Sequence, residues 1–146
     1  MKFICWTLAA LVSFSSSVFA GNAVNTDAAG VAASGHDVVA YFQMNKPVPG
    51  DAKLMVEHEG VKYHFSSTDN LNAFKANPSK YAPQYGGYCA YAAAFGKKAS
   101  IDPTQFKIVG GKLYLNKNVD VSMKWGADVE GFVKKADQQW SQIRDQ

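Results

Sequence analysis

The side chains in this chain best suited to chemistry are one thiol and two imidazoles: Cys89, His36 and His64. A thiolate is a soft metal ligand and the nucleophile of thiol exchange, and imidazole suits copper or zinc. The other cysteine, Cys5, lies in the N-terminal apolar run. An exported form of the chain would therefore keep Cys89 alone. A single thiol in an oxidising compartment is an intermolecular pair, a reactive group or ligand, or a buried packing residue. Two glycines, Gly86 and Gly87, precede an apolar run that predicts a helix over residues 88–95, with Cys89 at its second position. Unpaired N–H groups and the partial positive charge of a first helical turn favour a thiolate. Buried cysteine acting as a small hydrophobe is equally common, and both readings stand at this stage.

The histidines are His36, His58 and His64, and none forms an i, i+4 pair. A metal site would need folding to bring Cys89 to His36 or His64. His36 has Asp37 beside it, the kind of carboxylate neighbour that ligating histidines favour. His58 sits in a turn and is the weakest candidate. The chain has no G-x-S-x-G, H-E-x-x-H, phosphate-binding glycine loop or C-x-x-C, so no catalytic constellation is expected. Tyr81, Tyr85, Tyr88 and Tyr91 read as a packed aromatic cluster.

These groups need elements to hold them. Asp37 is placed to cap a short element over residues 38–42. Residues 53–57 and 61–66 alternate in polarity around His58-Glu59-Gly60, a hairpin signal. In its second strand Val61, Tyr63 and Phe65 share the core face, which turns His64 to the wetter side. A helix over residues 68–76 is capped by Ser67 or Thr68 and ended by Asn77-Pro78. Residues 106–115 form a second hairpin about Gly110-Gly111. Trp125, Val129, Phe132, Ala136, Trp140 and Ile143 give one apolar helical stripe with a break at Gly126. The fold class expected is α+β, with the two hairpins joined in one small antiparallel sheet and helices packed on it. No internal repeat is visible.

Residues 1–20 read as a signal peptide: Lys2, an apolar run, then Val18-Phe19-Ala20 before the cleavage point. Residues 21–34 lack an apolar period and read as a flexible leader, and residues 35–146 as the domain. Cleavage leaves 146 − 20 = 126 residues, enough for one core, at a formal charge of +2 after loss of Lys2 from +3. The lysines are scattered, so nucleic-acid binding has no electrostatic footprint. No further segment is apolar enough to anchor in a bilayer. The expected location is periplasmic or secreted.

Taken together, Gly35-His36-Asp37-Val38-Val39-Ala40-Tyr41-Phe42, Tyr63-His64-Phe65-Ser66-Ser67, Phe74-x-x-Asn77-Pro78-x-x-Tyr81 and Tyr85-Gly86-Gly87-Tyr88-Cys89-Ala90-Tyr91 resemble the YHS-domain family, over about residues 35–143. The resemblance is closest to its exported, stand-alone members. It implies a compact α+β fold and an association with heavy metals, copper above all. Modules fused to copper-transporting ATPases carry Phe-Cys-Ser-x-x-Cys before the helix; the matching positions here are Ser66 and Asn70. The early Cys-Gly-Met of those modules has Gly35-His36-Asp37 as its nearest counterpart. Those cysteine ligands are absent here, so the inherited metal site does not carry over. The expected function is a non-catalytic metal-binding protein with a copper ion on a site rebuilt around Cys89, with His36 or His64 as partners. The alternative is a small-ligand or protein-interaction module with a buried cysteine and no metal.

Overall fold

A computed structural model describes residues 22–146; the signal peptide expected at residues 1–20 lies outside them. Short polar caps start most of the helices. Asp37 accepts from Val39 and Ala40 N–H to begin α1 (Val38–Met44), and Ser67 accepts from Asn70 N–H to begin α2 (Thr68–Ala76). Pro78 opens the single turn α3 (Pro78–Tyr81), where its missing N–H costs nothing. After α4 (Ala90–Ala94), Asn118 caps α5 (Val119–Gly126) and Asp128 caps α6 (Val129–Ile143). Strands β1 (Asp51–His58) and β2 (Val61–Phe65) pair antiparallel, as do β3 (Asp102–Val109) and β4 (Lys112–Asn116). Both turns have two left-handed central residues, Glu59-Gly60 (φ 52° and 77°) and Gly110-Gly111 (φ 58° and 73°), the type I′ geometry that matches strand twist. Tyr63 and Phe65 face the core, with His64 half-buried on the opposite side.

The fold is α+β, but the hairpins form two separate two-stranded sheets, not one. The edge of β2 is already occupied. Ala32 N–H donates to Lys62 C=O at 2.9 Å and Lys62 N–H to Gly30 C=O at 3.0 Å, with Val31 bridging Lys62 in parallel. The segment expected to be a flexible leader is therefore docked. Val31, Ala32 and Ala33 are buried, and Asn25 N–H donates to Gly86 C=O at 2.8 Å. A Cβ on Gly86 would run into the Ala23 carbonyl oxygen, so only glycine permits this approach. The leader binds through its backbone, which leaves no side-chain period in the sequence.

The second half of the chain repeats the first, contrary to the sequence reading. At a constant offset of 51 residues β1–β2 becomes β3–β4, with the same pairing and the same irregularity. Asp51 pairs with Phe65 and Met55 with His64, leaving three residues looped out; Asp102 pairs with Asn116 and Phe106 with Leu115 in the same way. Asp51 and Asp102 each accept from the N–H two residues on, at 2.9 Å. The caps Ser67 and Asn118 correspond, as do Asn77 (φ −154°, ψ 76°) and Asp128 (φ −152°, ψ 67°). So do the buried pairs Tyr63–Phe74 and Tyr114–Trp125, with centroids 4.6 and 5.2 Å apart. At an offset of 52, three consecutive left-handed residues, Ala33-Ser34-Gly35, become Tyr85-Gly86-Gly87. Asp37 N–H donates to Val48 C=O where Cys89 N–H donates to Ala99 C=O. There are two core clusters, one around Phe65 and Phe74 that also takes in Leu113 and Leu115 of β4, and one around Trp125 and Ala136.

Candidate functional site

Cys89 is not in the first turn of an eight-residue helix. Tyr88 is extended (φ −75°, ψ 164°), so α4 starts at Ala90, runs five residues and takes Cys89 as its N-cap. The thiol is buried, with 1% of the residue exposed. Its Sγ donates to Asn116 Oδ1 at 3.5 Å, and the same oxygen accepts from Tyr91 N–H at 3.1 Å. Asn116 thus supplies the acceptor that a capping side chain would give to α4.

The imidazoles lie elsewhere. His36 is half-buried, its Nδ1 3.2 Å from Ser34 C=O, in a short bridge to Pro49. His64 projects from the outer face of β2, where Gly35 and Gly50 pass over it. A Cβ on Gly50 would overlap the His64 backbone, and one on Gly35 would stand 3.8 Å from His64 Nδ1. Among the described residues no three His, Cys, Asp or Glu side chains come together to hold a metal ion. Cys89, His36 and His64 accordingly do not come together as one group of three. The residue directly across from His64 is Met55, which the sequence reading passed over.

The positions at which related modules carry cysteines do converge, on a carboxylate. Asp37 is fully buried. Its Oδ1 accepts from Val39 N–H at 2.9 Å and Ala40 N–H at 3.1 Å. Its Oδ2 accepts from Ser66 N–H at 2.8 Å, Ser66 Oγ at 2.6 Å and Asn70 Nδ2 at 2.8 Å. A carboxylate offers about four lone-pair directions, so five donors leave no place for a cation. The residues at this locus fit a hydrogen-bonded tie between α1, β2 and α2, and they do not fit a copper ion.

The described surface also holds a cleft of about 350 Å³. Its walls are the docked leader at Val24, the β1–β2 turn at Glu59, the Pro83–Gly86 segment, and Asp137, Trp140 and Arg144 of the C-terminal helix region. Tyr85 donates to Asp137 Oδ1 at 2.9 Å, and its ring packs on Tyr114 and Trp140. Burial pushes the Tyr85 hydroxyl well above the ordinary tyrosine value, and the bond to Asp137 adds to this. A smaller cavity of about 170 Å³ adjoins the cleft, sharing Val24, Glu59, Ser79, Ala82, Pro83 and Gly86. Neither was foreseen, because their walls combine the leader and the residue 82–87 segment, which sequence patterning reads as loop, with side chains of distant elements.

No curated protein and no solved structure matches the chain significantly. The model of the YHS domain matches residues 39–85, which run from α1 through both strands of the first hairpin to the left-handed turn at Tyr85. By that match the chain carries a YHS domain at residues 39–85.

Proposed function

We propose that the protein is an exported, non-catalytic binding module for a small ligand, in which Cys89 belongs to the core and is not a metal ligand. The observation that carries this reading is the surroundings of the thiol: 1% exposure and an asparagine as its polar partner. A ligand-binding cysteine needs access and further donors. The joined cleft and cavity beside Tyr85 supply the concave, part-apolar space a small ligand uses. The test is competition for Cu(I) with a chromophoric chelator, on wild type and Cys89→Ser. Equal behaviour of the two proteins is expected; copper affinity lost with Cys89 would overturn the reading.

A second reading keeps copper and moves it. Met55 and His64 are cross-strand partners on the outer face of the first hairpin, and such pairs have Cβ atoms about 5 Å apart. A thioether and an imidazole are both copper donors, and His36 follows Gly35, which packs on His64. In the same competition assay this reading requires His64→Ala and Met55→Leu to weaken copper binding while Cys89→Ser does not.

A further inference from the structure

The repeat compares one locus in two states, filled and empty. In the second unit Tyr85 occupies the space between the hairpin and α6. Its ring packs on Tyr114 with centroids 5.9 Å apart, and its hydroxyl lies 3.5 Å from Val133 C=O and 2.9 Å from Asp137 Oδ1. The residue in its place in the first unit is Ala33, with the same left-handed backbone (φ 53° against 56°). The counterparts of Tyr114 and Val133 are Tyr63 and Ala82. Ala33, Tyr63 and Ala82 all line the cavity of about 170 Å³. The first unit thus has a hole where the second has a tyrosine side chain.

We propose that this cavity binds a phenolic ring, in the manner in which the second unit holds Tyr85. Size permits it, since a cavity of about 150 Å³ is enough for benzene. The walls suit a ring: Tyr63 offers an aromatic face, and Ala33, Ala82 and Pro83 offer apolar surface. A phenol hydroxyl is assigned an acceptor at the Ala82 carbonyl, by its correspondence to the Val133 carbonyl that lies beside the Tyr85 hydroxyl, with Glu59 as a second polar residue of the lining. A ring without a hydroxyl would leave that acceptor unanswered. The phenol could be a free small molecule or the side chain of a tyrosine on a peptide, and the chemistry recognised is the same.

This inference rests on the small-ligand reading, and its test is separate. Amide chemical shifts are followed in the wild-type protein during titration with p-cresol, toluene and Gly-Tyr-Gly. Saturable shifts at Ala33, Tyr63 and Ala82 are expected with p-cresol, at least tenfold stronger than with toluene. A matching response to Gly-Tyr-Gly assigns the phenol to a peptide side chain, and its absence assigns it to a free molecule. Ala33→Tyr places a side chain in the cavity on a backbone that already accepts tyrosine at residue 85; it should melt no lower than wild type and lose the p-cresol response. As a second arm, Tyr85→Ala opens the equivalent hole in the second unit, and p-cresol should raise its melting temperature. No saturable shift in wild type, equal binding of toluene, or p-cresol binding that survives in folded Ala33→Tyr would each overturn the proposal. Those failures would leave the copper result at Cys89 untouched, whereas Cys89-dependent copper binding would sink the module reading itself.

Discussion

Removing the Asp37 carboxylate tests whether a hydrogen-bonded tie holds the first unit together. In Asp37→Ala, Val39 and Ala40 N–H lose their cap, a loss of about 1 kcal/mol. Asn70 Nδ2 loses its partner in the interior, at about 1–3 kcal/mol, and the part-buried Ser66 N–H loses one at about 1 kcal/mol. Ser66 Oγ belongs to an exposed residue and turns to water, so it adds little. Relief of a buried charge offsets part of the sum, and breaking a buried charged network commonly nets about 3–5 kcal/mol. For a chain of this size, at about 3–4 °C per kcal/mol, the melting temperature should fall by about 10–15 °C. Asp37→Asn should fall between the two proteins. Its amide oxygen keeps the helix cap, but its NH₂ then faces the Ser66 and Asn70 donors. Thermal melts followed by circular dichroism, with urea titrations to check the slope, measure the loss. A drop of less than about 3 °C for Asp37→Ala would refute the tie, because it would mean that the five bonds are replaced without cost.

Three further outcomes are expected. Burial, with Glu59 adding to it, pushes the Tyr63 hydroxyl up to about 12. A raised value in the folded state gives stability that is complete below the unfolded value of about 10 and is lost as the pH rises toward 12. At about 1.4 kcal/mol per unit, roughly 2–3 kcal/mol is lost over that window. Urea titrations between pH 9 and 12 should show this fall and Tyr63→Phe should reduce it; an identical pH dependence in Tyr63→Phe would count against it. Gly86→Ala, which places a Cβ against the Ala23 carbonyl, should raise amide exchange across residues 22–32 while residues 102–116 stay protected; unchanged exchange at the leader would contradict docking. The Cys89 thiol should resist a disulfide reagent in the folded protein and react fully in denaturant, and fast labelling of native protein would show it to be accessible.

How much of this was legible in the sequence depends on which atoms do the work. Side-chain rules read correctly where a side chain acts on its own neighbourhood. Asp37 and Ser67 cap the elements assigned to them, Gly110-Gly111 makes the primed turn, and Tyr63 and Phe65 face inward. The failures lie where backbone atoms act. Residues 22–34 dock through Gly30, Ala32 and Asn25 main-chain groups, so their Ala- and Gly-rich composition looked featureless. That docking takes the β2 edge, and the expectation of one joined sheet failed with it. The helix expected from residue 88 lost its first turn because the left-handed run at residues 85–87 delivers an extended Tyr88. The Asp37 cluster was half legible: the cap was evident, but its bonds to Ser66 and Asn70 cross about thirty residues of chain.

The repeat was hidden for a related reason. Between residues 51–81 and 102–132 the identical pairs are Asp51/Asp102, Gly60/Gly111, Tyr63/Tyr114, Asp69/Asp120 and Ala76/Ala127. What persists is conformational: a glycine closing a primed turn, an aspartate holding a looped-out strand, a polar cap before a helix. Such positions tolerate several residue types, so the backbone can repeat while the letters diverge. The repeat also accounts for the thiol that made the sequence suggestive. Cys89 stands where Asp37 stands, before the first helix of its unit, with its N–H bonded to the counterpart of Val48. In the first unit the acceptor is Asp37, at the start of the helix, which takes Ser66 at the strand end and Asn70 of α2 besides the Val39 and Ala40 N–H groups. In the second the acceptor is Asn116, at the strand end, and the donors are the Cys89 thiol and Tyr91 N–H. The same joint is closed with the acceptor moved from the helix start to the strand end. A cysteine there needs no metal to explain it, since a small, weak donor is what a carbonyl oxygen already bonded to a backbone N–H can accept in a dry site.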